Sequence, residues 1–144
     1  MDGIQMVETA SETRLKPGET EKLTINLGVV DLGQVDLLVQ EGFYSNRTDL
    51  IRTAIRNQLA VHREEVKRTV GRRALVLGLQ HFGRADLERA LADGQMLHIH
   101  VVGLARIADD VSPELARATI QSVEVLGALH ASAKVRNALA DRIR

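Results

Sequence analysis

Residues 21–27 read EKLTINL, and this stretch limits the fold more than any other in the chain. Leu23, Ile25 and Leu27 alternate with Lys22, Thr24 and Asn26, the period-two pattern of a half-buried β-strand. From there to Gly71 the pattern is helical. Asp31, with Gln34 three residues on, makes a capping-box-like start, and Leu32, Val35, Leu38 and Val39 share one helical face until Gly42. After Phe43 and Tyr44, Ser45 is placed to cap a second helix. Its stripe includes Leu50, Ile51, Ile55, Leu59, Val66 and Val70, and Gly71 marks its expected end.

One strand and two helices make an awkward monomer, because a lone strand leaves its ladder of N–H and C=O groups unpaired. The economical solution is a homodimer in which the strands of two copies pair antiparallel. Leu23, Ile25 and Leu27 of both copies then pack on four helices, with Leu38, Ile51 and Ile55 completing the dimer core. Lys22, Thr24 and Asn26 are left on an exposed two-stranded ribbon. Such a ribbon fits the DNA major groove, where Lys matches guanine acceptors, Asn matches adenine, and Thr meets several edges. Thr24 is also explained by β-propensity alone, whereas Asn is depleted in strands, so Asn26 is the most informative of the three.

The charge distribution supports a polyanion partner. The 144 residues carry no net charge, yet residues 1–44 sum to minus five, 45–73 to plus five and 74–144 to zero. A basic block of this kind is a candidate electrostatic footprint, although Arg52, Arg56, Arg63 and Lys67 also suit the solvated face of one helix.

The succession EKLTINL, DLGQVDLLVQEG and FYSNRTDLIRTAIRNQL closely resembles the ribbon-helix-helix family of bacterial DNA-binding proteins (Arc, MetJ and CopG-like regulators) over about residues 21–62. The resemblance implies base contacts from Lys22, Thr24 and Asn26. It also implies phosphate contacts at the start of the second helix from Ser45, Asn46 and Arg47, with Arg52 a further basic candidate. Free N–H groups and the positive dipole end of a helix suit a phosphate there. The expected fold class is α+β: a flexible polar arm over 1–20, a ribbon-helix-helix unit over 21–70, and a small α/β domain over 72–144.

That last domain contains an internal echo. LVLGLQHF, HVVGLARI and EVLGALHA place Gly78, Gly103 and Gly127 25 and 24 residues apart, each followed by a helix-like segment. A β-α unit repeated about three times points to a small parallel solenoid whose ends must be capped or joined to other copies. A compact βαβ sandwich like the ligand-sensing domains of some regulators is the competing fold, and recurrence of the V/L-V/L-G core favours the repeat. The domain carries no excess charge, which suits assembly or sensing better than further DNA contact.

His98 and His100 sit two apart on an expected strand and share a face, and His81 is a candidate to join them from the neighbouring repeat. Imidazoles suit nickel, copper or zinc, and an H-x-H strand also resembles the metal site of nickel-responsive relatives. That site includes a cysteine, which this chain lacks, so no cofactor is expected, with nickel or zinc as the metal-responsive alternative. Glycine-rich phosphate loops, nucleophile elbows and HExxH motifs are absent, and Asp109 and Asp110 read as capping residues, so no enzyme is expected. Without a signal-peptide pattern or a membrane-length apolar run, the expected setting is the cytoplasm, in association with the nucleoid. The sequence therefore predicts a dimeric or larger, sequence-specific repressor on double-stranded DNA. The reading from another class is an assembly protein that polymerises through its C-terminal repeats and is only tethered to DNA.

Overall fold

The computed structural model describes residues 19–144, so nearly all of the arm expected over 1–20 lies outside the described residues. The chain falls into two compact units, one spanning Glu21–Thr69 and the other containing Val70–Arg144.

In the first unit, residues 21–27 form no β-ladder within the single chain. Helix α1 spans Val29–Gln40 with Gly28 as its N-cap, three residues earlier than the cap expected at Asp31. Asp31 instead lies in the first turn, where its charge complements the helix dipole. The Gln34 side chain donates to the Val30 carbonyl at 3.2 Å, so no capping box forms. Gly42 ends α1 as expected: the Phe43 and Gly42 N–H groups donate to the Leu38 and Val39 carbonyls, each at 3.0 Å, in a Schellman pattern.

Helix α2 spans Arg47–Val61, and its cap is Asn46 rather than Ser45. The expected continuous helix pauses at His62, and α3 runs from Arg63 to Arg72, with Glu64 and Glu65 favouring a fresh helix start in its first turn. Gly71 lies inside α3. The helix ends at Arg72 and closes around Ala74, three positions beyond Gly71, at φ +51°, with the Leu75 N–H donating to the Val70 carbonyl at 2.9 Å.

The second unit alternates strand and helix: β1 Val76–Phe82, α4 Arg84–Ala92, β2 Leu97–Ile107, α5 Pro113–Thr119, β3 Ile120–His130 and α6 Ala133–Ala138. Local chemistry explains the helix starts. Ser112 accepts from the Leu115 N–H at 3.1 Å with Pro113 behind it, and Ser132 accepts from the Val135 N–H at 3.2 Å. Asp86 accepts from the Gly83 N–H at 2.9 Å.

The strands lie parallel in chain order, β1-β2-β3, which is the arrangement of a β-α repeat. Leu87, Ala116 and Val135, one from each helix, join Ile99, Val101, Ala105, Ile107 and Val123 in a single buried core. The three helices therefore cover the sheet face to which the odd-numbered β2 residues point, so the two crossovers share one hand. Thr119 is fully buried and satisfied, its hydroxyl donating to the Leu115 carbonyl at 2.7 Å.

Gly78, Gly103 and Gly127 stand side by side in the register, at φ +134°, +137° and +120°. A Cβ on Gly103 would come within 2.1 Å of the Gly78 carbonyl oxygen, and one on Gly127 equally close to that of Gly103. The spacing seen in the sequence is therefore a ladder of close backbone approaches that admits no side chain at Gly103 or Gly127.

The C-terminus latches onto the outer side of β3. Ile143 bridges Val123 and the Arg144 N–H donates to the Val123 carbonyl at 2.9 Å, while Arg117 pairs with Asp141 at 2.8 Å.

Candidate nucleic-acid interface

The first unit presents its intended core to solvent. Every residue from 21 to 31 is exposed, and none in α1, α2 or α3 is buried. Leu23, Ile25 and Leu27 are 77%, 53% and 41% exposed, and Leu38, Ile55 and Leu59 are exposed as well, while Ile51 is half-buried. A stripe this apolar has no reason to exist on a monomer's surface and fits a covering partner. Lys22, Thr24 and Asn26 alternate with it and are exposed.

The turn between α1 and α2 is clamped by a two-pronged ion pair. Arg47 donates from Nε to Asp36 Oδ1 at 2.7 Å and from Nη2 to Asp36 Oδ2 at 2.8 Å. These hydrogen bonds hold the Asp36 carboxyl below its ordinary range and raise the Arg47 guanidinium. The fork of Arg47 is thus committed to Asp36, a partner eleven residues away that sequence reading missed.

Asn46 Oδ1 accepts from the Asp49 N–H at 2.8 Å, and Asp49 Oδ2 accepts in return from the Ser45 N–H at 3.0 Å. Two donors of the helix start are used in this way, while those of Arg47 and Thr48 belong to the first turn, where no intrahelical acceptor exists. Ser45 and Asn46 are exposed beside them. Arg52, one turn further along α2, is exposed and has no partner among the described residues. The structure therefore brings together the expected Ser45, Asn46 and Arg47, with Arg47 engaged and Arg52 without a partner among the described residues.

The histidines separate. His98 and His100 share the face opposite the helices and both contact the Ser122 hydroxyl, at 2.8 and 3.2 Å. His81 is paired in register with Arg106, six β2 residues beyond His100, or about 20 Å along a strand. It lines a cleft of about 620 Å³ at the carboxyl ends of the strands with Arg106, Asp109, His130 and Arg136. His81 therefore does not join His98 and His100, because parallel register places it at the other end of the sheet. Among the described residues no three His, Asp or Glu side chains converge on a metal-sized site.

The sequence profile of the Ribbon-Helix-Helix transcriptional regulator family matches residues 18–136. The chain belongs to this family. The match runs well past the segment 21–62 on which the resemblance rested, taking in all three strands of the second unit, so the ribbon-helix-helix chain includes its β-α repeats. Membership points to a DNA-binding transcriptional regulator; proteins of this family typically dimerise and are generally non-enzymatic. No curated protein and no solved structure matched the chain. No described helix is long and apolar enough to cross a membrane.

Proposed function

We propose that this ribbon-helix-helix protein is a sequence-specific repressor that inserts an antiparallel ribbon, one strand from each of two copies, into the DNA major groove. The observation that carries the reading is the exposed apolar row Leu23, Ile25 and Leu27 alternating with the polar row Lys22, Thr24 and Asn26. Pairing two copies buries the first row on the helices and turns the second toward base edges. At the phosphates, the Ser45 hydroxyl, Asn46 and the first-turn N–H groups of α2 anchor the ribbon, and Arg52 adds a mobile charge. Arg47 serves this anchor chiefly by fixing the α2 terminus through Asp36, and meets a phosphate only by exchanging that carboxylate for it.

Because one ribbon reads a short site, cooperation between neighbouring dimers through the second unit raises specificity, and the protein acts at the nucleoid. The exposed strand edges of that unit also suit an assembly protein merely tethered to DNA. One experiment separates the two. Replacing Lys22, Thr24 and Asn26 together by Ala should leave a folded dimer that binds selected and random DNA alike. Preference retained in the triple variant would show that the ribbon is not the reader. A wild-type protein with no preference at all, and binding that falls steeply with salt, would favour the tether.

A further inference from the structure

The glycine ladder has an unfilled rung. Gly103 and Gly127 each need to lack a side chain because the carbonyl of the preceding strand's glycine sits where a Cβ would go. Gly78 adopts the same positive φ, yet a Cβ there would meet nothing within 4 Å, since β1 has no strand before it. Its conformation is explained if a carbonyl from another chain occupies that place. At the far edge, the carbonyl of Gly127 has no following glycine to approach.

We propose that β3 of one copy pairs in parallel with β1 of a second copy, Gly127 beside Gly78, so that the ladder continues across the junction. The repeated register then sets Val125 against Val76, Leu126 against Leu77 and Ala128 against Leu79. The free length of edge agrees. The C-terminal latch occupies β3 only at Val123, and β1 begins at the position matching Val125, so the incoming strand starts just past the latch.

The uncovered sheet face gives an independent reason for a second copy. Parallel sheets are buried on both faces, yet among the described residues helices cover only one. The other carries two apolar rows, Leu77, Val102 and Leu126, then Leu79, Leu104 and Ala128, and Leu77, Leu79 and Leu126 are each at least half exposed. Polar residues flank this band at both ends, His98, His100 and Ser122 on one side and His81, Arg106 and His130 on the other. An apolar belt between two polar rims is the interior of a small barrel, with helices outside. A head-to-tail contact generates a ring where the rotation closes and a filament where it does not; the inward-facing apolar belt favours closure, by two copies with six strands. The proposal names the contact behind the assembly role given above to the second unit, and it is independent of the ribbon.

Cysteine pairing in the 144-residue chain tests it, because these residues include no cysteine. In the double variant Leu77→Cys, Leu126→Cys, the two thiols of one copy lie two strands, about 10 Å, apart and cannot bridge, whereas those of neighbouring copies are register partners. Mild oxidation should give a disulfide between residues 77 and 126 of different copies, identified by peptide mapping, with covalent dimers as the end product. A mixture of the two single variants should form the same mixed disulfide, and neither single variant should cross-link alone. A folded double variant that stays uncrosslinked, or single variants that link to themselves, would overturn the proposal, the latter in favour of a symmetric antiparallel edge. A ladder of covalent trimers and larger species would overturn the two-copy ring. Since the readout is a mapped bond in the sheet, its failure in a protein that still prefers its DNA site leaves the ribbon reading intact, and the converse also holds.

Discussion

Ala74 is the residue where local chemistry and backbone disagree. Three of the described helices close with a Schellman turn; in two of them the left-handed position is glycine, Gly42 at φ +85° and Gly94 at φ +65°. In the third, Ala74 holds φ +51°. A Cβ there costs about 1 kcal/mol, which glycine does not incur. Ala74→Gly should therefore stabilise the start of the second unit by roughly 0.5 to 1 kcal/mol, the gain being trimmed by glycine's freer unfolded chain. A urea titration with an unchanged slope and a raised midpoint would show this, and a lowered midpoint would contradict it. The position also shows why the sequence misled at this point. Gly71 looked like the helix stop because glycine usually takes that role, but the chain placed its left-handed residue three positions later. Ser45 misled in the same way: Ser and Asn are comparable caps, and the chain uses Asn46, whose Oδ1 accepts from the Asp49 N–H while the Asp49 carboxylate accepts from the Ser45 N–H.

Elements in the second unit were readable because each is punctuated by its own sequence. Ser112 with Pro113, Ser132, and the recurring Val/Leu-Gly cores fix three strand-helix units without reference to anything distant. Elements in the first unit were readable in type, since the strand and helix periods are strong. Their mutual fixing was not, because the Asp36–Arg47 pair joins two helices through a side-chain contact that no periodicity encodes. This pair makes an acid prediction. Arg47 stabilises the ionised form of Asp36 and so lowers its native pKa, which means the contribution is present above the unfolded value and is lost as pH falls through the lowered native one. The loss therefore lies below about pH 4. Asp36→Asn should lower the stability of the first unit slightly at pH 7 and flatten its decline below pH 4, because both side chains are exposed and water screens them. Urea midpoints at pH 7, 5 and 3 would check this. An equally steep acid limb in the variant would assign that decline to other carboxylates.

At the scale of the whole molecule, the two units differ in where their stability comes from. The second unit has a core of its own, with Leu87, Ile99, Val101, Ile120, Val123 and Val135 fully buried. The first has no buried residue in any of α1, α2 and α3, and its apolar residues make sense only against a second copy. In the proposed dimer that unit's folding is inseparable from association, and its stability follows protein concentration by mass action. Raising the concentration a hundredfold should stabilise the dimer by about 2.7 kcal/mol, the value of RT ln 100, or about 1.4 kcal/mol for residues 21–69 of each chain. For a unit this small, the shift in melting temperature should be several degrees or more. Hydrogen exchange resolved by peptide makes the test specific to this unit. Amides of α1 and α2 should gain protection with concentration, while those of the buried β2 core should already be protected in dilute solution. Leu23→Asp should remove the gain in α1 and α2 by placing a charge in the shared core, without altering the protection of β2. Concentration-independent protection of α1 and α2 in the wild-type chain would mean that the first unit folds alone, and the shared strand would lose its physical basis.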